Sequence, residues 1–363
     1  MPHIRLEGIT VAYGKKRTLD TLDLEVHDGE YLCLLGPTGA GKTTTLRVLC
    51  GLTLPAAGKV FFDDEDITIS EPEERKAAML SQDYSLFPHM TVRENISFGP
   101  DIKNWGKREI DKSVSSMMDM VRLTKRADAY PNELSGGMQQ RNALARALAS
   151  GAEVLLLDEP LRALDARLRI DLRKELRSLS KSLGITTIHV THDQDEALVM
   201  ADRIAVIRKG RIVQVGTPRE VFDNPTVPFV ANFLGQSNFV FGYLKESGEQ
   251  TALEDRMGRI FPGRSSYLGV GEPAVIGVKI AQTIISLEEE GYLEGDIERM
   301  LFEGRSVHID VQVDDLGRFA CKIPSRKSKE FKVGDRVHIS WDPGEASVFR
   351  YPEEGLEEEL KVE

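Results

Sequence analysis

Gly36-Pro37-Thr38-Gly39-Ala40-Gly41-Lys42-Thr43 follows the apolar run Tyr31-Leu32-Cys33-Leu34-Leu35 and precedes the helix-like Thr44-Thr45-Leu46-Arg47-Val48-Leu49. Strand, glycine-rich loop and helix in that order make a phosphate cradle. The glycines let the backbone approach closely and turn successive N–H groups inward. The following helix presents its positive end. Lys42 adds a full charge for the terminal phosphates, and the Thr43 hydroxyl suits a magnesium ion that bridges them. The bland alternative is a glycine-rich turn, and the strand and helix on either side argue against it.

Upstream of the loop, Ile4 to Tyr13 and Leu19 to Val26 alternate apolar and polar residues, with Gly14-Lys15-Lys16 and Asp28-Gly29 as turns, which predicts a half-buried antiparallel layer. Tyr13 ends the first strand, either as a sheet-edge aromatic or as a ring for stacking. Downstream, Lys59-Val60-Phe61-Phe62 and Ala77-Ala78-Met79-Leu80-Ser81 read as strands, the second ending at Gln82. Polar residues at the carboxyl ends of buried strands are where α/β sites collect. From Phe87 to Ser150 the periodicity turns helical, which predicts a helical insertion over about 88–150.

Leu134-Ser135-Gly136-Gly137-Met138-Gln139-Gln140-Arg141 opens an alanine-rich helix. Ser135 stands at the N-cap position, and the two glycines leave the first N–H groups bare, as an ordinary cap or as a second anion site. Glu153-Val154-Leu155-Leu156-Leu157-Asp158-Glu159-Pro160 reads as a strand buried on both faces that ends in two carboxylates. Carboxylates buried there need a cation or hydrogen bonds. A leucine-striped helix then runs from Leu164 to Leu183, stopped by Gly184. Thr186 to Val190 is another buried strand, with Thr191-His192-Asp193 at its end. Spacing of three along a strand puts His189 and His192 on opposite faces, which argues against a metal pair.

Asp202 to Val206 and Arg211 to Val215 form a strand pair, and Phe229 to Leu234 a short helix. Beyond about Gly235 short alternating segments at Val275–Ile280, Ser306–Val313, Arg318–Ile323, Arg336–Trp341 and Ala346–Phe349 predict a small β-barrel, with a solvated or frayed acidic tail from Pro352 to Glu363. The expected organisation is an α/β nucleotide-binding domain over 1–235 and an OB-like barrel over 236–363. A length of 363 residues suits two domains, and a net charge of -11 disfavours nucleic acid as the phosphate ligand. No run reaches the ~18 apolar residues of a membrane helix, and the start Met1-Pro2-His3-Ile4-Arg5 lacks a signal-peptide core, so a cytosolic location is expected. Cys33, Cys50 and Cys321 show no paired spacing and are expected to be free thiols.

In chain order, the phosphate loop, Gln82, Leu134-Ser135-Gly136-Gly137, Leu157-Asp158-Glu159 and His192 resemble the motif set of ABC-transporter ATPases. Within that family, Phe87-Pro88-His89-Met90-Thr91-Val92, Leu164-Asp165-Ala166-Arg167 and the C-terminal barrel look like importer ATPases for maltose, polyamines, ferric iron, sulfate or molybdate. The resemblance implies a P-loop NTPase fold followed by a regulatory TOBE-type domain, with ATP and Mg2+ as ligands. It implies that Tyr13 stacks on adenine and that Gly36, Pro37, Thr38, Gly39, Ala40, Gly41, Lys42, Thr43 and Thr44 wrap the phosphates. Thr43, Gln82 and Asp158 would hold magnesium, Glu159 would act as general base, and His192 would touch the γ-phosphate.

Ser135, Gly136 and Gly137 would close over ATP held by a facing copy, and Asp165 counts among the nucleotide-contacting positions. The implied assembly is a head-to-tail homodimer on a transmembrane permease, at the cytoplasmic face of the cell membrane, fed by an extracytoplasmic solute-binding protein. Strands such as Val337-His338-Ile339-Ser340-Trp341 lean towards the polyamine and ferric-iron branch, with oxyanions and sugars as alternatives. A soluble, non-transport ABC protein would be expected to carry two nucleotide domains or a coiled-coil insertion, and an exporter would lack the barrel. Two departures stand out: Arg162 where relatives carry a small residue, and Met138 where they carry a polar one.

Overall fold

Strands buried on both faces need helices on both sides, and the first part of the chain is built that way. The computed structural model describes residues 2–162, 164–248, 251–288 and 290–361. Residue 1 and residues 362–363 of the expected acidic tail lie outside the described set. Two compact units divide between Arg219 and Glu220.

The first unit runs β1 (Ile4–Tyr13), β2 (Lys16–Val26), β3 (Tyr31–Leu35), α1 (Lys42–Leu49), β4 (Ala57–Phe62), β5 (Glu65–Asp66) and β6 (Ala77–Leu80). It continues with α2 (Val92–Ile102), α3 (Lys107–Met120), α4 (Gly136–Ala149), β7 (Val154–Asp158), α5 (Ala166–Leu183), β8 (Thr186–Thr191), α6 (Gln194–Met200), β9 (Arg203–Arg208) and β10 (Arg211–Gly216). The central sheet has the order β10-β9-β3-β8-β7-β6, parallel except for β10. An antiparallel sheet of order β2-β1-β4-β5 makes the second layer. Leu34, Leu156, Val190 and Ile207 are fully buried in the shared core. At about 1.5–3 kcal/mol for each such side chain, this packing holds the carboxyl edge of the sheet in place.

Helices α2, α3 and α4 pack on one another as the helical insertion. Gly184 ends α5 in the left-handed region at φ 67, the conformation that favours glycine at a helix end.

The second unit begins inside α7 (Pro218–Asp223) and adds α8 (Pro228–Gly235), ahead of the boundary at 235 expected from sequence. The reason is packing: Phe229 and Val230 of α8 are buried, and the helix rests on strands of this unit. The strands are β11 (Ser237–Glu246), β12 (Thr251–Glu254), β13 (Ile260–Gly263), β14 (Pro273–Lys279), β15 (Ile284–Ser286), β16 (Leu293–Phe302), β17 (Ser306–Val313), β18 (Gly317–Pro324), β19 (Arg336–Ser340) and β20 (Ser347–Arg350). They form two antiparallel sheets, β13-β12-β11-β14-β20 and β15-β19-β16-β17-β18, over one core that includes Val240, Ile276, Ile309 and Ile339.

The sequence pattern does not reveal β11, β12, β13, β15 or β16, and for the two long ones the cause is visible. Along β11 the inward residues Val240 and Leu244 alternate with Phe239, Phe241 and Tyr243, so both faces look apolar. In β16 an inward Gly295 interrupts the pattern. The tail also differs from expectation: α9 (Leu356–Leu360) packs against α8 with Leu356 and Leu360 half-buried, so this part is anchored rather than frayed.

Candidate functional site

The loop between β3 and α1 is shaped by contacts that exclude side chains. A Cβ on Gly36 would lie 2.2 Å from the Ile207 carbonyl oxygen. Gly41 sits at φ 109, where a Cβ would meet Leu19 Cδ2 at 2.6 Å and the Thr18 oxygen at 2.8 Å. Gly41 is also the N-cap of α1, and no side chain caps that helix. The first N–H groups of α1 are therefore left for a ligand to satisfy. The Lys42 ammonium donates to the Gly36 and Pro37 carbonyls, both at 2.8 Å, which folds the side chain back over the loop. Burial pulls the Lys42 pKa below its ordinary value, against the opposing pull of Glu159 and Asp158.

Across the sheet, β7 delivers Asp158 and Glu159 beside this loop. Burial pushes the Asp158 carboxyl above its usual range, against the hydrogen bond from Thr43. Thr43 and Asp158 thus pair a hydroxyl with a carboxylate next to an ammonium and bare N–H groups. Such a set of hard oxygen donors and anion donors fits a nucleotide's phosphates and a small divalent cation.

Glu159 takes a left-handed backbone at φ 50. Its N–H donates to the Val190 carbonyl at 3.0 Å, and its own carbonyl accepts from Gln140 Nε2 at 3.2 Å. Its Oε1 lies 2.9 Å from His192 Nδ1, and its Oε2 accepts from Arg162 Nη1 at 2.9 Å. An ionised carboxylate only accepts, so His192 Nδ1 carries the proton of that bond. Burial raises the Glu159 pKa, but the hydrogen bonds and charges of His192 and Arg162 outweigh it and hold the group below its usual value.

His192 itself is aimed by its neighbours. Asp193 caps α6 and accepts from Arg173 Nη2 at 2.8 Å, and the Asp193 N–H donates to Thr191 Oγ1 at 3.0 Å. Thr191 in turn donates to Glu196 Oε2 at 2.7 Å. His189 points the other way into the core, 2.8 Å from the Tyr31 hydroxyl, and burial holds its pKa down.

Lys42, Thr43, Asp158, Glu159 and His192 therefore converge at the carboxyl edge of the sheet. Gln82 follows β6, whose Leu80 pairs with Leu157, and this places it beside the two carboxylates. It is exposed, and among the described residues its amide bonds to none of the five. Tyr13 is exposed at the end of β1. Asp165 caps α5, accepting from the Leu168 N–H at 3.0 Å. Ser135 stands at the N-cap of α4 but makes no side-chain cap bond, and with Gly136 it faces outward.

Sequence reasoning missed three contributors. Gln140 ties the first turns of α4 to Glu159. Arg146 of the same helix donates to the carbonyls of Tyr84 and Ser85, two left-handed residues just after Gln82. Arg162 stands out in the sequence as a departure from relatives, and only the fold reveals its pairing with Glu159. An arginine three residues after a carboxylate was the available signal.

The family model described as ABC transporter matches residues 19–162, and that described as TOBE domain matches residues 278–349. Among curated relatives, the chain is 40% identical to the spermidine/putrescine import ATP-binding protein PotA of Ruegeria pomeroyi, over 92% of this chain and 91% of the relative. It is 36% identical to the protein of that name from Marinobacter nauticus, over 98% and 97% of the two chains. Among solved structures, two of MJ0796, described as a bacterial ABC transporter cassette, match with TM-scores of 0.54 and 0.55 at 30% identity. Each match covers 60% of this chain and 99% of the other, and both structures are described as dimeric. With similarity along nearly its whole length and both domain models matched, this chain belongs to the importer-class ABC transporter ATPases, ATP-hydrolysing subunits with a C-terminal TOBE domain.

Proposed function

We propose that this chain powers polyamine import, hydrolysing ATP between two head-to-tail copies that sit on a membrane permease. The observation that carries the chemistry is the convergence of Lys42, the Thr43–Asp158 pair and the Glu159–His192 pair at one sheet edge. Gly36 to Thr44 wrap the phosphates, Tyr13 stacks on adenine, and Thr43, Asp158 and Gln82 hold Mg2+, which supplies charge neutralisation at the phosphates when bound. Glu159 takes the proton of the attacking water, and His192 orients that carboxylate and reaches the γ-phosphate. Ser135, Gly136 and Gly137 cover the ATP of the facing copy. Asp165 sets the start of α5 at the seam between copies.

The polyamine assignment rests on the names of the relatives, spermidine/putrescine import proteins. Among the described residues no helix is long and apolar enough to cross a membrane, so the permease is supplied by other chains, with the ATPase at its cytoplasmic face and an extracytoplasmic binding protein delivering solute. Substituting Glu159→Gln tests the chemistry: turnover should fall by about 10²–10⁴-fold while ATP binding and ATP-dependent dimerisation persist. Undiminished hydrolysis would refute the base. Uptake of labelled spermidine in cells that depend on this chain tests the cargo, and uptake of only sugar or ferric iron would replace it.

A further inference from the structure

We infer that Arg162 is a positioning residue that latches the general base in the separate chain and must let go before water is activated. The inference rests on the reading of Glu159 as that base. Both oxygens of the Glu159 carboxylate are engaged, Oε1 with His192 Nδ1 and Oε2 with Arg162 Nη1, each at 2.9 Å. A base must turn a lone pair towards the attacking water, and the guanidinium occupies the oxygen that His192 leaves available.

The latch is local and preformed. Arg162 lies three residues on, and its N–H donates to the Glu159 carbonyl at 3.3 Å, closing a turn that needs no second molecule. The backbone of Glu159 is held from two further sides, by Val190 and by Gln140, so it is the side chains that have room to rearrange. Their exposure differs in a useful way: the carboxylate side chain is 15% exposed and that of Arg162 57%. The arginine can therefore swing into solvent while the base stays in place. A facing copy that closes over this turn would offer the guanidinium other partners, which ties release of the base to dimer closure.

An ion pair with one exposed member shifts an equilibrium by about 1.4- to fivefold, which sets the size of the effect. In the full-length protein, Arg162→Ser should raise kcat for ATP by about 1.4- to fivefold, with KM for ATP changed by less than about twofold, because ground-state binding does not involve the latch. Hydrogen exchange across 159–169 in the nucleotide-free protein should quicken in the same variant. Arg162→Lys keeps a charge within reach of Oε2 and should restore wild-type values in both measurements. An unchanged or lower kcat in the serine variant, or a lysine variant that behaves like serine, would overturn the latch. Retained turnover in Glu159→Gln would instead remove the base assignment on which it stands.

Discussion

Two helices of the first unit start from glycine-rich turns with no side-chain cap, α1 at Gly41 and α4 at Ser135, and their surroundings are opposite. Around α1 the chain encloses the turn: Lys42, Thr44 and Thr45 are buried, and a Cβ at Gly36 or Gly41 would run into Ile207, Leu19 or Thr18. Around α4, Ser135 and Gly136 are exposed, and a Cβ added to Gly136 meets nothing within 4 Å. Bare N–H groups at a helix start attract anions in both places. Only at α1 does the same chain also supply an ammonium, a hydroxyl and two carboxylates. One device thus gives a nearly complete site and an isolated half, which is the division of labour expected if the second half serves a facing copy.

Substitutions at the two turns can break this contrast. Gly36→Ala should have the largest effect: with backbone and side-chain atoms of Ile207 at 2.2 and 2.9 Å from the new Cβ, the loop must shift. Stability should drop by about 1–3 kcal/mol in thermal or urea melts, and ATP binding should be lost in titration calorimetry. A variant of wild-type stability and affinity would show that the enclosure is unimportant.

Gly136→Ala should behave in the opposite sense. Its space is open and its position helical, so the melt should be unchanged or up by about 0.4–1 kcal/mol. ATP-dependent dimerisation, read by light scattering, should nevertheless weaken, because the new methyl group stands where the facing nucleotide would lie. Full dimerisation would make α4 an ordinary helix start.

Ser135→Ala should be the mildest for the fold. Ser135 makes no cap bond in this chain, so stability should move by less than about 0.5 kcal/mol, below the usual cost of losing a capping serine. A loss of 1 kcal/mol or more would reveal a cap that the geometry does not show. The ATP affinity of the monomer should stay as it is.

The centre of the first unit was legible because its physics is local. β3, β7 and β8 are short, largely apolar or β-branched runs, buried at every position, as strands covered on both faces must be. The glycine stop of α5 could be read for the same reason. In the second unit the strong strands β17, β18 and β19 were readable, while β11 and β16 were hidden by aromatic residues on the outer face and a glycine on the inner one.

Of the site residues, those that need a special type at a special spacing were visible: Lys42, Thr43, Asp158, Glu159 and His192. Those that act through reach were not. Gln140 and Arg146 look like ordinary polar positions of α4 until the insertion folds back beside Glu159 and the turn after Gln82. For Asp165 the resemblance implies a nucleotide contact, and the fold adds a local role for its carboxylate as the cap of α5.

Sequence by itself determined the phosphate loop, the two carboxylates after β7 and the histidine after β8, because glycine, charge and β-branched runs impose their conformations within a few residues. Tertiary structure decided how these pieces act on one another. It brought Thr43, at the start of α1, to Asp158 past the intervening β8, and His192 to Glu159 from the neighbouring strand, and it placed the Arg162 guanidinium on the remaining oxygen of the Glu159 carboxylate. The physical reason is range: backbone preference is written locally, whereas a hydrogen bond between residues 33 or 115 positions apart exists only once the sheet has set their register.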